Sequence, residues 1–261
     1  MANMRIATWN INGLRARLDF LRLWLRDRRP DVVGLQELKL GDEIFPYAEL
    51  EAEGYYTAVH SQKAWNGVAI LSRVKPEIRQ QGLIGQEQMG ARLITASVGP
   101  LDFGTVYCPN GKHIGHPDFL LKLSWFECLT RFIREEYSGK DSFVLCGDFN
   151  LCPTLLDSWN EPLLKGQIFH TDDERTRFQE LLCCGLFDVY RELNPDGKMF
   201  TWWDYRAGSF HKNQGLRIDL LLATRSLTSR IDRIEIDREY RKKKADLVPS
   251  DHAPVFADLR E

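Results

Sequence analysis

The sequence predicts an α/β fold in which two β-sheets pack against each other and helices cover the outside. Short apolar runs, typical of buried strands, occur together with longer segments whose apolar residues recur at helical spacing. Strand-like runs dominate the second half of the chain, and this mixture favours two packed sheets with flanking helices. The 261 residues, 43% of them hydrophobic, suffice for one large core or two smaller ones, so we expect one domain spanning residues 1–261.

The first half of the chain predicts one helix among several strands. Arg5–Trp9 is a strand-like segment that ends in a turn-prone Asn-Ile-Asn-Gly sequence. The next segment has one apolar helical face and stops at a proline, as shown by Leu18, Leu21, Trp24, Leu25 and Pro30. Further apolar runs predict strands at Val32–Leu35, Gly67–Leu71, Ala91–Val98 and Phe103–Tyr107.

The second half predicts two longer helices and five strands. Phe119–Tyr137 carries apolar residues at the three- and four-residue spacing of a helix, and Glu174–Cys184 predicts a second helix. Ser142–Cys146 lies between them as a short apolar strand. The remaining strands are predicted at Phe200–Tyr205, Ile218–Ala223, Ile231–Ile236 and Val255–Leu259.

The charge balance neither favours nor excludes a nucleic-acid partner. Lys and Arg together number 35 and Asp and Glu number 37, which gives a net charge of −2. A nucleic-acid-binding protein of this composition needs a local basic patch, or metal ions that offset its acids.

The cysteines and the N-terminus indicate a cytoplasmic protein. The six cysteines match no zinc-binding spacing and mostly lie in apolar stretches, so we expect reduced thiols. The chain begins without an apolar signal core, and no run approaches the roughly 18 apolar residues of a membrane span. We therefore expect a monomer in the cytoplasm with no membrane partner.

Polar residues recur where the predicted strands end, and this is the most informative pattern in the sequence. A single such residue usually marks a turn or a cap, but several together indicate convergence on one rim. The residues concerned are Asn10, Asn12, Glu37, Asp148, Asn150, Asp219, Asp251 and His252. A ring of acids, amides and histidine without cysteine suits one or two Mg²⁺ or Mn²⁺ ions better than zinc.

Six motifs in this order resemble those of the exonuclease III and abasic-site endonuclease family. They span nearly the whole chain, and each is weakly specific alone. The motifs are Trp9-Asn10-Ile11-Asn12-Gly13-Leu14-Arg15, Leu35-Gln36-Glu37, Gly147-Asp148-Phe149-Asn150, Thr201-Trp202-Trp203-Asp204-Tyr205-Arg206, Gly215-Leu216-Arg217-Ile218-Asp219 and Ser250-Asp251-His252-Ala253-Pro254-Val255. The resemblance implies the four-layered α/β sandwich shared with DNase I, with the active site at one end.

The resemblance also implies the metal ligands. Glu37 and Asn10 would hold the principal divalent ion, with Asp251 nearby. The candidate metal-binding residues are Asn10, Glu37, Asp148, Asn150, Asp251 and His252. Such an ion polarises phosphoryl oxygens and activates water.

The catalytic roles follow from the same resemblance. Asp148 would orient or deprotonate the attacking water, and Asn150 would stabilise the pentacovalent phosphate. His252 would contact the scissile phosphate, with Asp251 holding its imidazole. Tyr107 would approach the phosphate or the leaving oxygen. Asp219 would orient another member of this network.

Five residues are candidates for DNA contact. Arg92 matches a family arginine that reaches the duplex, and Trp202 matches an aromatic wall that selects a base-less sugar by shape and stacking. We expect one of the two tryptophans in the Trp-Trp pair to lie in the core. Lys242, Lys243 and Lys244 follow Arg241 shortly before the Asp-His pair, and either flank the site or form a solvated turn.

The resemblance implies a DNA repair nuclease that acts on double-stranded DNA with abasic sites or 3′ ends. Relatives divide between abasic-site endonucleases and enzymes that trim 3′ ends, and the sequence leaves this balance open. Two alternatives also remain at this stage. One is another phosphoesterase of the same superfamily that acts on RNA, phospholipids or inositol phosphates; the other is a catalytically inactive DNA-binding module.

Overall fold

A computed structural model describes residues 4–260 as two six-stranded sheets packed face to face. The strands of the first sheet lie in the order β11-β12-β1-β2-β4-β3, and those of the second in the order β5-β6-β7-β8-β10-β9. The strands are β1 Met4–Asn10, β2 Val32–Gln36, β3 Tyr56–His60, β4 Val68–Ser72, β5 Glu77–Gln81, β6 Leu93–Val98, β7 Leu101–Tyr107, β8 Phe143–Asp148, β9 Leu186–Asp188, β10 Asp219–Thr224, β11 Ile231–Ile236 and β12 Val255–Leu259. Both sheets are mixed, because β1 pairs with β2 and β7 with β8 in parallel.

The helices form the two outer layers. The α-helices are α1 Leu14–Arg28, α2 Tyr47–Ala52, α3 Pro117–Glu136, α4 Glu161–Leu164, α5 Asp172–Leu182, α6 Val189–Leu193 and α7 Arg225–Thr228. Trp24 of α1 packs on the first sheet, whereas Phe126 of α3 and Phe178 of α5 pack on the second. The predicted four-layered α/β sandwich is therefore confirmed.

The core consists of three apolar layers. Between the sheets, residues such as Ile6, Cys146 and Val255 are fully or almost fully buried. The alternate residues of the same strands face the helices; Ala7 packs in the layer under α1 and Leu145 in the layer under α3. Strands covered on both faces have continuous apolar sequences, which explains why the central strands were predictable.

Nine of the ten predicted strands are present, with ends that differ by a few residues. Phe200–Tyr205 is wrong as a strand, because Trp202 makes only isolated bridges to Leu216 and His252. The chain then turns at once, where the Asp204 carboxylate accepts the backbone N–H of Arg206 at 2.8 Å. The expectation that one tryptophan is core is confirmed, since Trp203 is fully buried and Trp202 is not.

Three strands were not predicted, and all of them are sheet edges. Tyr56–His60 lies at one end of the first sheet, while Glu77–Gln81 and Leu186–Asp188 form the two ends of the second. Tyr56–His60 and Glu77–Gln81 carry polar side chains and Leu186–Asp188 has only three residues, so none of them forms a recognisable apolar run. Four short helices, α2, α4, α6 and α7, also had no clear periodicity.

The structure also bears on the remaining composition-based expectations. All six cysteines within residues 4–260 are free thiols, and only Cys183 is exposed. None of the described helices is long and apolar enough to cross a membrane.

Candidate active site

The two sheets bring their polar strand ends together at one edge. Parallel pairing of β1 with β2 places Asn10 beside the end of β2, which Glu37 directly follows. In the other sheet, Asp148 lies opposite Tyr107 on one side and opposite Asp219 on the other. The Asn10 side-chain amide donates to the Asp148 carboxylate at 2.9 Å, so groups from both sheets meet directly. The convergence expected from the strand ends is confirmed.

A buried histidine joins two of these acids. The Nδ1 atom of His252 lies 2.8 Å from Asp219 Oδ2, and its Nε2 atom lies 4.0 Å from Asp148 Oδ2. The prediction that Asp251 holds this imidazole is wrong. The Asp251 carboxylate instead accepts hydrogen bonds from Asn12 at 2.7 Å and from the Trp202 indole at 3.0 Å. Asp219 begins β10 in the second sheet and His252 lies just before β12 in the first, so the packing of the two sheets brings the Asp219 carboxylate to Nδ1.

The charges of this group shift its protonation equilibria. Burial raises the pKa of Asp148 to about 7, and the Asp219 carboxylate adds to this effect, while His252 opposes it. Burial would lower the pKa of His252, but the Asp219 carboxylate outweighs it and raises that pKa to about 10. The imidazole is therefore protonated at neutral pH, with Asp219 fixing its orientation. Asp219 Oδ1 is also buried and accepts no hydrogen bond from any residue between 4 and 260.

The donor set fits a hard divalent cation. Glu37, Asp148 and His252 each present a ligand atom, and these atoms lie within 4.8 Å of one another. Asn10 donates its amide N–H to Glu37 Oε1 at 2.8 Å, while its own oxygen accepts the Asn12 N–H at 3.0 Å. Coordination by Asn10 would require its amide to rotate. The two carboxylates provide the oxygen ligands that Mg²⁺ and Mn²⁺ prefer.

Tyr107 and Asn150 line the second-sheet side of the site. Burial raises the pKa of Tyr107 well above its ordinary value, and the Glu37 and Asp148 carboxylates add to this effect. The phenol thus keeps its proton and can act as a hydrogen-bond donor. The backbone N–H of Asn150 donates to Asp148 Oδ1 at 2.9 Å, which ties the two residues of the Asp-Phe-Asn motif together.

These groups border one open cleft of about 360 Å³. Its polar lining includes Glu37, Asp148, Asp251 and His252, and its apolar lining includes Trp202, Ile168, Phe169 and Ile218. Trp202 thus lies where an aromatic wall was predicted, with its indole N–H anchored on Asp251.

Comparison with known proteins identifies the family. Residues 7–252 match the Endonuclease/Exonuclease/phosphatase family. Exodeoxyribonuclease III of Haemophilus influenzae is 34% identical, with 98% of this chain and 100% of that protein covered. The chain belongs to the exonuclease III and abasic-site endonuclease family.

Two solved structures of the family have the same fold. The 3′ phosphatase NExo from Neisseria, bound to a product DNA hairpin, superposes with a TM-score of 0.94 at 38% identity, covering 99% of this chain and 100% of that one. An AP endonuclease from Archaeoglobus fulgidus has the same TM-score at 32% identity and the same coverage. The resemblance inferred from the six motifs is confirmed.

The basic residues predicted to contact DNA differ in solvent exposure and in the contacts they already make within the protein. Arg92 is half-buried, and its guanidinium donates to the carbonyls of Met89 and Tyr107 and stacks on the Tyr107 ring. Arg92 thus contacts both the ring and the backbone carbonyl of Tyr107. Its contact with DNA stays a prediction.

The lysine run lies on the surface beside a second cleft. Lys242 and Lys243 are exposed and border a cleft of about 460 Å³, and Lys242 forms an ion pair with Glu239 at 2.5 Å. Arg241 is different, because it is buried and donates to the backbone carbonyls of Asp251 and Trp203. The Arg-Lys-Lys-Lys sequence therefore consists of one structural arginine followed by three accessible lysines.

Sequence reasoning missed three residues that contact the site. Lys39 lies 2.7 Å from Glu37 Oε2 and donates to Asn12, and Trp9 donates its indole N–H to the His252 carbonyl at 3.1 Å. The buried Lys122 on α3 donates to the Asn150 carbonyl at 2.6 Å. Strand register and the packing of α3 bring Trp9 and Lys122 behind the site, whereas Lys39 follows Glu37 by two residues in the sequence.

Proposed function

We propose that this protein is a divalent-metal-dependent DNA repair nuclease, which hydrolyses phosphodiester bonds at 3′ ends and at abasic sites of double-stranded DNA. The observation that carries the proposal is the buried group of Asp148, Asp219 and His252 beside Glu37. Its relatives support the choice of substrate: they include an exodeoxyribonuclease, an AP endonuclease and a 3′ phosphatase bound to product DNA.

Glu37 and Asp148, which both present ligand atoms, would hold the metal. When bound, Mg²⁺ or Mn²⁺ polarises a phosphoryl oxygen and offsets the negative charge that develops there. Of the two roles predicted for His252, we favour the phosphate contact, because Asp219 holds Nδ1 and leaves Nε2 to donate to a phosphoryl oxygen in the cleft. Asn10 and Asp251 complete the polar surroundings of this position.

The acids and the phenol supply the proton chemistry. Asp148 has a pKa of about 7, which suits a group that orients and deprotonates an attacking water near neutral pH. Asn150 would donate to the pentacovalent phosphate, and Tyr107 would hydrogen-bond the phosphate or the leaving oxygen. Asp219 would act through His252 by keeping the imidazole charged and correctly oriented.

DNA would be held on both sides of the cleft. Trp202 would form the wall for a base-less sugar, while Arg92, Lys242, Lys243 and Lys244 would contact phosphates. The proposal includes a monomer with one domain over residues 1–261 that works in the cytoplasm, as the composition predicts. Light scattering after size-exclusion chromatography tests the oligomeric state.

The experiment is a comparison of rates on three duplexes with protein stripped of metal. The substrates carry an abasic site, a 3′ phosphate at a nick or an intact recessed 3′ end. We expect cleavage to appear on adding Mg²⁺ or Mn²⁺, and the three rates give the balance of activities. Full activity in excess EDTA would reject the proposal. Cleavage of RNA or inositol phosphates without DNA cleavage would favour another phosphoesterase of the superfamily. Metal-independent binding of DNA without cleavage would favour a catalytically inactive DNA-binding module.

A further inference from the structure

A fully buried ion pair, Lys122 with Glu174, lies directly behind the cleft. Lys122 is on α3, Glu174 is on α5, and neither side chain is exposed to solvent. Neither residue borders the cleft, so the pair does not belong to the reacting groups described above.

The Lys122 ammonium group has three N–H donors, and the structure provides three acceptors for them. Two are the backbone carbonyls of Asn150, at 2.6 Å, and Asn110, at 3.2 Å. The third is Oε1 of Glu174. Because Asn110 and Asn150 both border the cleft, one ammonium group ties together two loops of the site.

Glu174 extends this connection to a third part of the cleft wall. Its Oε1 atom also accepts the backbone N–H of Phe169 at 3.1 Å, and Phe169 lines the cleft. Its other oxygen accepts from the N–H and hydroxyl of Thr171, which caps α5. The Lys122 ammonium lies 4.9 Å from the centre of the Phe169 ring.

The backbone at Asn150 has an unusual conformation that this ion pair helps to hold. Asn150 has a φ of 50°, in the left-handed region that asparagine adopts more readily than most residues other than glycine. Its N–H is held by Asp148 and its carbonyl by Lys122. The two contacts fix the peptide units on both sides of Asn150, and so the direction of its side chain.

Fold stability alone does not explain a buried ion pair at this position. Taking two charges out of water costs free energy that their attraction often fails to recover, and apolar residues of similar volume can replace such pairs without loss. Helices α3 and α5 already pack through apolar side chains, among them Phe126, Leu129 and Phe178.

We propose that the Lys122–Glu174 pair positions the loops carrying Asn110, Asn150 and Phe169 for the hydrolytic step. The inference rests on the proposed nuclease function, which it deepens. The pair acts through the geometry of the loops and touches neither DNA nor metal. Its loss should lower kcat while affinity for DNA changes little.

The test removes both charges together, so that no unpaired charge stays buried. Lys122→Met is combined with Glu174→Gln, because the glutamine can still accept the Phe169 N–H. The matched control is Arg177→Met with Glu127→Gln. This partly exposed ion pair joins the same two helices with an N–O distance of 2.5 Å, and neither residue borders the cleft. Turnover and KM are measured on the 3′-phosphate duplex, and circular dichroism establishes that each variant is folded.

We expect kcat of the Lys122 variant to fall by about 10²-fold, the loss associated with a misplacement of about 1 Å. The KM should change far less, and the control variant should resemble wild type. Glu174→Gln alone leaves the Lys122 charge buried without its carboxylate, so we expect a less stable variant. Its kcat per folded molecule should stay above that of the double variant, because Lys122 can still reach both carbonyls. If wild type is active and the Lys122→Met, Glu174→Gln variant is equally active, the inference is overturned and the proposed function stands. An inactive wild type overturns the proposed function and the inference together.

Lys122→Gln is the second variant in case the double variant does not fold. Its amide can donate to the Asn150 or the Asn110 carbonyl without a charge, so we expect an intermediate kcat. Equal losses in kcat and in DNA affinity, or a kcat equal to that of wild type, would show that the pair is only structural.

Discussion

Two clusters of buried charges, one around Arg217 and one around Asp219, differ in their balance of positive and negative charge. The first, which we call the arginine cluster, surrounds Arg217. Its carboxylates, Asp157 and Asp188, accept side-chain hydrogen bonds from Arg217 and Arg191. Their other hydrogen bonds come from Thr154 and from the backbone of α6. Two acids thus meet two guanidinium groups. In the acid cluster around Asp219, three carboxylates (Glu37, Asp148 and Asp219) meet two cations, the His252 imidazolium and Lys39, and Lys39 pairs only with Glu37.

The pKa values follow this difference. Burial would raise the pKa of Asp157, but Arg217 outweighs it and holds that pKa below its ordinary value. Burial raises the pKa of Asp148 to about 7, because its cluster contains too little positive charge to compensate. Balanced buried charges hold segments of the fold together, whereas unbalanced ones cost stability and are ready to receive a cation or a proton.

The largest effect is expected in the arginine cluster. Asp157→Asn should lower the free energy of unfolding by about 3 kcal/mol, because it leaves the buried Arg217 and the half-buried Arg191 short of a partner. Turnover per folded molecule should stay near that of wild type. Urea unfolding at neutral pH measures the first quantity, and unchanged stability would mean that the cluster is not balanced as described.

The pH dependence sharpens this prediction. The folded-state pKa of Asp157 lies below its ordinary value, so its contribution to stability is present above about pH 4. It is lost as pH falls through the lower folded-state value. The stability difference between wild type and Asp157→Asn should therefore shrink under acid conditions.

The next largest effect is expected on turnover, from changes in the acid cluster. Asp148→Asn and His252→Asn should each cut turnover by at least about 10²-fold, the lower end for a positioned acid–base group. The double variant should lose much less than the sum, because both groups serve one transition state. Near-wild-type turnover in both single variants would contradict their assignment.

The same Asp148→Asn variant should be more stable than wild type in metal-free buffer at pH 8. The folded-state pKa of about 7 lies above the ordinary value of 3.8, so the charged carboxylate is disfavoured in the fold. This cost is present above pH 7 and shrinks as pH falls towards 4. Thermal unfolding at the two pH values measures the gain.

The smallest effect is expected at Lys242, Lys243 and Lys244, which belong to neither charge cluster. Changing Lys242, Lys243 and Lys244 to Gln should flatten the slope of log affinity against log salt by about 0.9 per lost phosphate contact. Turnover at saturating DNA should barely change, because these residues would position the backbone only. An unchanged slope would identify the run as a solvated turn.

The sequence alone determined the fold class, the central strands and most of the polar rim. Strands covered on both faces must be apolar along their length, and their polar ends mark the point where they leave the core. That is why Asn10, Glu37, Asp148 and Asp219 could be named as one site before their distances were known. The ordered motifs then indicated the family that the comparisons show.

The tertiary structure decided which partner each of these residues has. Asp219 rather than Asp251 holds His252, because face-to-face packing of the two sheets brings the start of β10 to the residues before β12, across 33 residues of sequence. The support from Lys122, the edge strands and the separation of Arg241 from its neighbouring lysines had no local signal either. Strand register and helix packing are long-range consequences of the whole core, so a pattern read along the chain specifies which residues converge and leaves open which of them touch.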